Sequence, residues 1–105
     1  GKIPNPAKRG IVYFRLRLLA GKSNLETFRI NKNKIIIHFS DNQLPKKIEL
    51  EQLISSFDYK FDFDGSRSYL SMNITLPEEY VDDKDQVLEA AERILRYIFG
   101  WQRTS

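Results

Sequence analysis

Four groups of residues in this chain have types and spacings that could do chemistry. Asp62 and Asp64 are separated by one residue and run into Gly65. In a loop they could meet a hard cation, which needs several oxygen ligands. The set is small and no spaced glutamate follows, so a hairpin turn is the simpler reading. His38 is the one histidine and sits between apolar residues in strand-like sequence. With no second histidine and no cysteine in the chain, a proton relay of the usual kind has no members. A solvent-facing strand position accounts for it. Asp82, Asp83 and Asp85 form a carboxylate group, but they lie where a helix should begin. Negative charge is favourable there, beside unpaired N–H groups and the positive end of the helix dipole. Finally, the five glycines are scattered, and none forms the glycine-rich loop before a helix that cradles a phosphate. No catalytic, cofactor-binding or metal-binding residue is therefore assigned, and ATP hydrolysis by this segment alone is not expected.

Nucleic-acid binding is the main functional alternative from the residues themselves. Arg15 and Arg17 fall on a basic helix that could face phosphates. Tyr59, Phe61 and Phe63 alternate along a strand and could stack bases. A base-stacking sheet would interleave its aromatics with Lys or Arg, whereas Lys60 and Asp62 intervene here. In a domain with one sheet, that aromatic face is more naturally the core. Salt-sensitive binding to an oligonucleotide would separate the two readings. A small enzyme with an unrecognised site is the remaining alternative, and no acid–base or nucleophile pairing supports it.

The composition sets the frame for these residues. The chain has 105 residues, 41% hydrophobic and 30% charged, which suits one globular domain with one core. The absence of cysteine excludes disulfides and thiolate metal sites, and fits a reducing cytoplasm. No apolar run approaches the ~20 residues needed to span a bilayer, so no membrane partner is expected. The opening Gly1-Lys2-Ile3-Pro4 lacks a methionine, so we expect a piece of a longer protein. Net charge is +3, but Lys2, Lys8, Arg9, Arg15, Arg17 and Lys22 crowd the beginning. Glu78, Glu79, Asp82, Asp83, Asp85, Glu89 and Glu92 crowd a late segment. Such asymmetry can steer a partner, and solvated helix faces are the plainer explanation.

The elements that must position these residues follow from periodicity. Asn5-Pro6 is a helix start, since Asn caps free N–H groups and proline suits the first turn. Ala7, Ile11, Phe14 and Leu18 recur at helical spacing, with Val12 and Leu19 beside them. The helix should run to about Lys22, with Asn24 as a left-handed stop. Leu25 to Ile30 and Ile35 to Phe39 read as strands joined through Asn31-Lys32-Asn33-Lys34, a hairpin. Asp41-Asn42-Gln43 breaks the pattern. After Pro45, Ile48, Leu50, Leu53 and Ile54 predict a helix ending near Phe57. Tyr59 to Phe63 and Leu70 to Ile74 alternate as strands around Asp64-Gly65-Ser66, a second hairpin. Pro77 and the acidic run lead into a last helix with Val87, Leu88, Ala91, Ile94, Leu95 and Ile98 as its buried stripe. Gly100 should end it, with Trp101 folded back as a lid and residues 102–105 fraying. The predicted class is α+β: a small, mostly antiparallel sheet of two hairpins with three helices, in the order α-β-β-α-β-β-α.

The opening stretch Ile3-Pro4-Asn5-Pro6-Ala7-Lys8, followed by Phe14-Arg15-Leu16-Arg17-Leu18-Leu19-Ala20, resembles the C-terminal domain of bacterial transcription-repair coupling factors, the Mfd family. Ile35 to Phe39 is similar to that family's strand ending in phenylalanine. The Leu53-Ile54 helix, Tyr59, the Asp64-Gly65 turn, the Leu70 strand and a closing helix follow in order, so the likeness covers most of the chain. Asn24 stands where the family has glycine, and Asn31-Lys32-Asn33-Lys34 replaces a glycine-rich turn. The resemblance implies a parent that is a cytoplasmic ATP-dependent DNA translocase. Such a parent uses ATP and Mg in motor motifs upstream of this segment. It displaces stalled RNA polymerase, binds DNA and recruits nucleotide excision repair through UvrA. It implies that this domain is not itself an enzyme. Its role would be regulatory, docking on the parent's N-terminal UvrB-like module and masking UvrA binding. Acidic residues used in that clamp precede the stretch corresponding to Gly1, so no partner-binding residue carries over.

Overall fold

A computed structural model describes residues 6–22, 25–39, 44–65 and 69–103, with the side chains of 6–9 and 102–103 outside the description. The elements are α1 (Pro6–Lys22), β1 (Leu25–Asn31), β2 (Lys34–Phe39), α2 (Lys47–Ser56), β3 (Lys60–Gly65), β4 (Leu70–Thr75), a 3-10 helix (Glu78–Asp82) and α3 (Lys84–Arg103). The α+β class and the α-β-β-α-β-β-α order are as expected. The proposed roles of Asn5, Asn24, Asp41-Asn42-Gln43, Ser66 and Ser105 lie outside the described residues.

Four antiparallel strands form one sheet in the order β1-β2-β4-β3. Both sequence hairpins exist, and β2 joins them by pairing with β4. Register sorts the side chains. Ile35 lies opposite Ile30 and Ile74, Ile37 opposite Phe28 and Met72, and Phe39 opposite Leu70. Directly opposed residues share a face, so these side chains form one apolar layer. The register shifts between Leu25 and Thr27, at Glu26. That bulge lets Leu25 and Phe28, three residues apart, both face the helices.

The core joins this layer to the helices. Ile35, Ile37, Phe39, Met72 and Ile74 are buried against Leu16 and Ala20 of α1, Leu53 of α2, and Val87, Ala91, Ile94, Leu95 and Ile98 of α3. The α3 stripe matches its predicted residues. The other sheet face is more open, with Arg29, Lys34, Lys60, Asp62 and Asp64 exposed and Ile36 and His38 half-buried.

Local polar contacts fix the joints. Asp83 precedes α3 and accepts from the Gln86 N–H at 3.2 Å and from Gln86 Nε2 at 2.8 Å. That is the capping role expected of the acidic run. At α2, the Lys46 N–H donates to Glu49 Oε1 at 2.8 Å. The β1–β2 turn is tighter than the four-residue loop expected, with only Lys32 and Asn33 outside the strands. Lys32 takes φ 55°, a left-handed conformation unusual for a long side chain. Asn33 ties the turn to the chain after β4: its Nδ2 donates to the Leu76 carbonyl, and its carbonyl accepts from the Leu76 N–H, both at 2.8 Å.

Two helices bury only part of their apolar residues, and one expectation needs correction. On α1 the buried residues are Leu16 and Ala20, with Val12 and Leu19 partly buried, whereas Ile11, Phe14 and Leu18 are exposed. The helix has apolar residues on two sides, and the sheet and α3 can cover only one. On α2, only Leu53 is buried, while Ile48 and Ile54 are exposed. Gly100 does not end α3, which runs to Arg103. Trp101 is no separate lid. It stays helical because its ring lies 6.4 Å from Phe39 and 6.2 Å, edge-on, from Tyr97. Those contacts outweigh glycine's weak helix preference of about 1 kcal/mol.

Candidate docking surface

The residues with chemical potential do not converge. Among the described residues, no group of three or more His, Asp or Glu side chains could hold a metal ion. His38 sits on β2 opposite Thr27 and Ser71, on the open face. Asp62 lies opposite Asn73 and Asp64 opposite Ser71, on that same face at the β3 edge. The face therefore mixes Arg29, Lys34 and Lys60 with two carboxylates, and offers no single sign to a phosphate backbone.

Tyr59, Phe61 and Phe63 take the helix side, as the alternation predicts. Phe61 lies opposite the core residue Ile74, and Phe63 opposite Met72. Phe57 stacks on Tyr59 at 6.0 Å and meets Tyr97 edge-on at 5.8 Å, a cluster that anchors α2 to α3. Burial holds the Tyr59 hydroxyl above its ordinary pKa. Nearby Arg93 opposes the shift, while Tyr80, through charge and a hydrogen bond, reinforces it. Phe63 stays 39% exposed because β3 is the sheet edge. An open depression of about 570 Å³ between α2 and α3 is lined by Ile48, Glu51, Gln52, Ser55, Ser56 and Tyr97. The Ser56 hydroxyl donates to the Gln52 carbonyl at 2.7 Å, and its oxygen accepts from the Tyr97 hydroxyl at 3.2 Å. It has the shape of a surface hollow rather than an enclosed reaction site.

The outward side of α1 is different in kind. Ile11 and Phe14 are each 63% exposed and Leu18 is 51% exposed. Their i, i+3, i+7 spacing places them in one row. The row spans seven residues, about 10 Å of helix axis. The α1 sequence contains no acidic residue. Arg15 leans toward α3 and meets Glu92 at 3.6 Å, and Glu92 is also paired with Arg96 at 3.1 Å. The Arg17 guanidinium lies 5.9 Å from the centre of the Tyr13 ring. Lys22 closes the last turn. The result is an exposed apolar row bordered by positive charge.

Sequence periodicity picked out this row without deciding which side of the helix faces the core. The available signal was that α1 has two apolar sides. Val12, Leu16, Leu19 and Ala20 already supply a complete inner face, so Ile11, Phe14 and Leu18 are surplus to the core.

Comparison with family models, curated proteins and solved structures finds no match to this chain, so the likeness to coupling-factor C-terminal domains rests on the residues quoted for it.

Proposed function

We propose that this chain is the C-terminal regulatory domain of a transcription-repair coupling factor. It docks on the N-terminal UvrB-like module of its parent, a cytoplasmic ATP-dependent DNA translocase, and masks the UvrA-binding surface. The ATP- and Mg-dependent work and the contacts with RNA polymerase and DNA belong to the parent. The observation that supports docking most is the exposed row Ile11, Phe14 and Leu18, on the same helix as the Phe14-Arg15-Leu16-Arg17-Leu18 resemblance. Large side chains left in water on a helix whose other side is fully used mark an interaction surface.

A clamp of this kind must hold and yet open. Interfaces between domains of one chain are modest in area and fairly polar. A preference of about 3 kcal/mol keeps roughly 99% of molecules closed, and a competing partner can still shift them. The test is association of the separately produced chain with the N-terminal module. Binding that UvrA competes away supports the proposal. No association at about 100 µM would sink it.

The run of cations on α1 favours one second reading, a nucleic-acid-binding domain. It predicts oligonucleotide affinity that falls steeply with salt. A flat titration at low salt removes it.

A further inference from the structure

We propose that the chain pairs with a second copy of itself through the outer edge of β3, in a register centred on Asp62, so that the two four-stranded sheets become one. The proposal rests on the sheet and its charges and is independent of the regulatory reading above.

The sheet has two edges, β1 and β3. An edge strand carries a row of backbone N–H and C=O groups without a strand partner. Proteins usually blunt it with a bulge, a proline, an inward-pointing charge or a covering element. β1 is blunted in two ways: its register shifts at Glu26, and α1 packs against it. β3 has no such protection among the described residues. It pairs with β4 without a break from Lys60↔Thr75 to Gly65↔Leu70, and it contains no proline. Its charges, Lys60, Asp62 and Asp64, are exposed on the open face and do not point into the helix layer. Phe63 takes the helix side at this edge and is left 39% exposed. Residues 40–43 and 66–68 follow Phe39 and Gly65, at the opposite end of the sheet from Lys60.

The charges of β3 select its own copy. A two-fold axis normal to the sheet sets β3 antiparallel to itself and keeps the helices of both copies on one side. In the register centred on Asp62, each Lys60 lies opposite the partner's Asp64, and each Phe63 lies opposite the partner's Phe61. Opposite charges and aromatic pairs directly across two strands are the favourable combinations. Here the charge pairs fall on the open face, and the ring pairs extend the apolar layer beneath the helices. The neighbouring registers are poorer. Centred on Phe61, three strand residues of each copy overlap instead of five. Centred on Phe63, Asp62 faces Asp64 twice. The favoured register has one unfavourable pair, the two Asp62 carboxylates facing each other, and a single pair of edge strands is a small interface. The dimer is therefore weak, with a Kd on the order of 0.1–1 mM.

The test is sedimentation equilibrium of the chain from about 10 µM to about 1 mM. It compares wild type with Asp62→Asn, Lys60→Glu, the charge swap Lys60→Glu/Asp64→Lys, and Phe14→Ala on α1. All these positions are exposed, so circular dichroism melting should show folded proteins. We expect wild type to dimerise within this range. Asp62→Asn removes the repelling pair and should tighten the dimer about threefold or more. Lys60→Glu turns two attractive pairs into repulsive ones and should weaken it about tenfold. The charge swap restores both pairs and should return the affinity to within about threefold of wild type. Phe14→Ala should leave it unchanged. Monomers throughout, in wild type and in Asp62→Asn, overturn the proposal. So does a dimer that Lys60→Glu leaves intact or that the charge swap fails to restore. A dimer lost in Phe14→Ala overturns it as well and assigns self-association to α1.

Discussion

Leu16 and Phe14 lie two residues apart on α1, yet they should respond oppositely to truncation. Leu16 is completely buried, in contact with the sheet and α3 core, whereas Phe14 is 63% exposed. Leu16→Ala removes buried carbon and leaves a cavity at the α1–α3–sheet junction. Such changes cost about 3–5 kcal/mol. Total stability for a domain of 105 residues is roughly 5–15 kcal/mol, so this one change consumes a large share. A fall in Tm of more than about 12 °C follows at about 4–8 °C per kcal/mol. Phe14→Ala removes a side chain that water already reaches over most of its surface. Alanine is also the better helix former, by up to about 0.7 kcal/mol. The two effects nearly cancel, and the net change should lie within about 0.5 kcal/mol. Urea denaturation followed by far-UV circular dichroism gives both numbers, with an unchanged m-value confirming that the native state remains intact. If Phe14→Ala cost more than about 2 kcal/mol while Leu16→Ala cost less than about 1, the inner and outer sides of α1 would be exchanged. The docking face would then disappear with them.

Three further outcomes follow from local geometry. At Gly65 an added Cβ would come within 2.7 Å of the Tyr69 carbonyl oxygen, so backbone must move; Gly65→Ala should lower stability by about 1–3 kcal/mol in the same urea assay. Asp83→Ala removes the acceptor for the Gln86 N–H and side-chain amide and should cost about 1 kcal/mol. Tyr59 has a folded-state pKa raised by burial, so its protonated form is favoured more in the native state than in the unfolded one. That stability is present in full below the unfolded tyrosine pKa, about 10, and is lost as pH rises through the folded value. Denaturation curves above that pH should show a decline that is shallower in Tyr59→Phe, and identical slopes would refute the assignment.

Much of the fold was legible because most elements have one apolar side. In α3 the stripe from Val87 to Ile98 has polar residues opposite it, so periodicity identifies both the helix and its buried face. The strands likewise alternate, and Phe61 and Phe63 do take the helix side. Periodicity says which way a residue points, but not whether anything covers it. Phe63 is exposed because β3 became an edge, and that depends on β2 pairing with β4 across about a third of the chain. The same limit explains α1 and α2: both have more apolar residues than the sheet can cover, and only tertiary packing decides between Leu16 and Phe14, or between Leu53 and Ile54. Trp101 shows the opposite case, in which rings brought close by the fold extend a helix past Gly100. The candidate site was visible as residues and hidden as a surface, since its row reads like a core stripe until Leu16 is seen to occupy the core.

The central claim, that this domain docks to hide a UvrA-binding surface, is tested most directly by measuring UvrA affinity of the intact parent translocase and of the parent lacking these residues. The docked domain competes with UvrA for one surface, so its removal should tighten UvrA binding, by about a hundredfold for a clamp closed in roughly 99% of molecules. Equal affinities for the intact and shortened proteins would contradict the account.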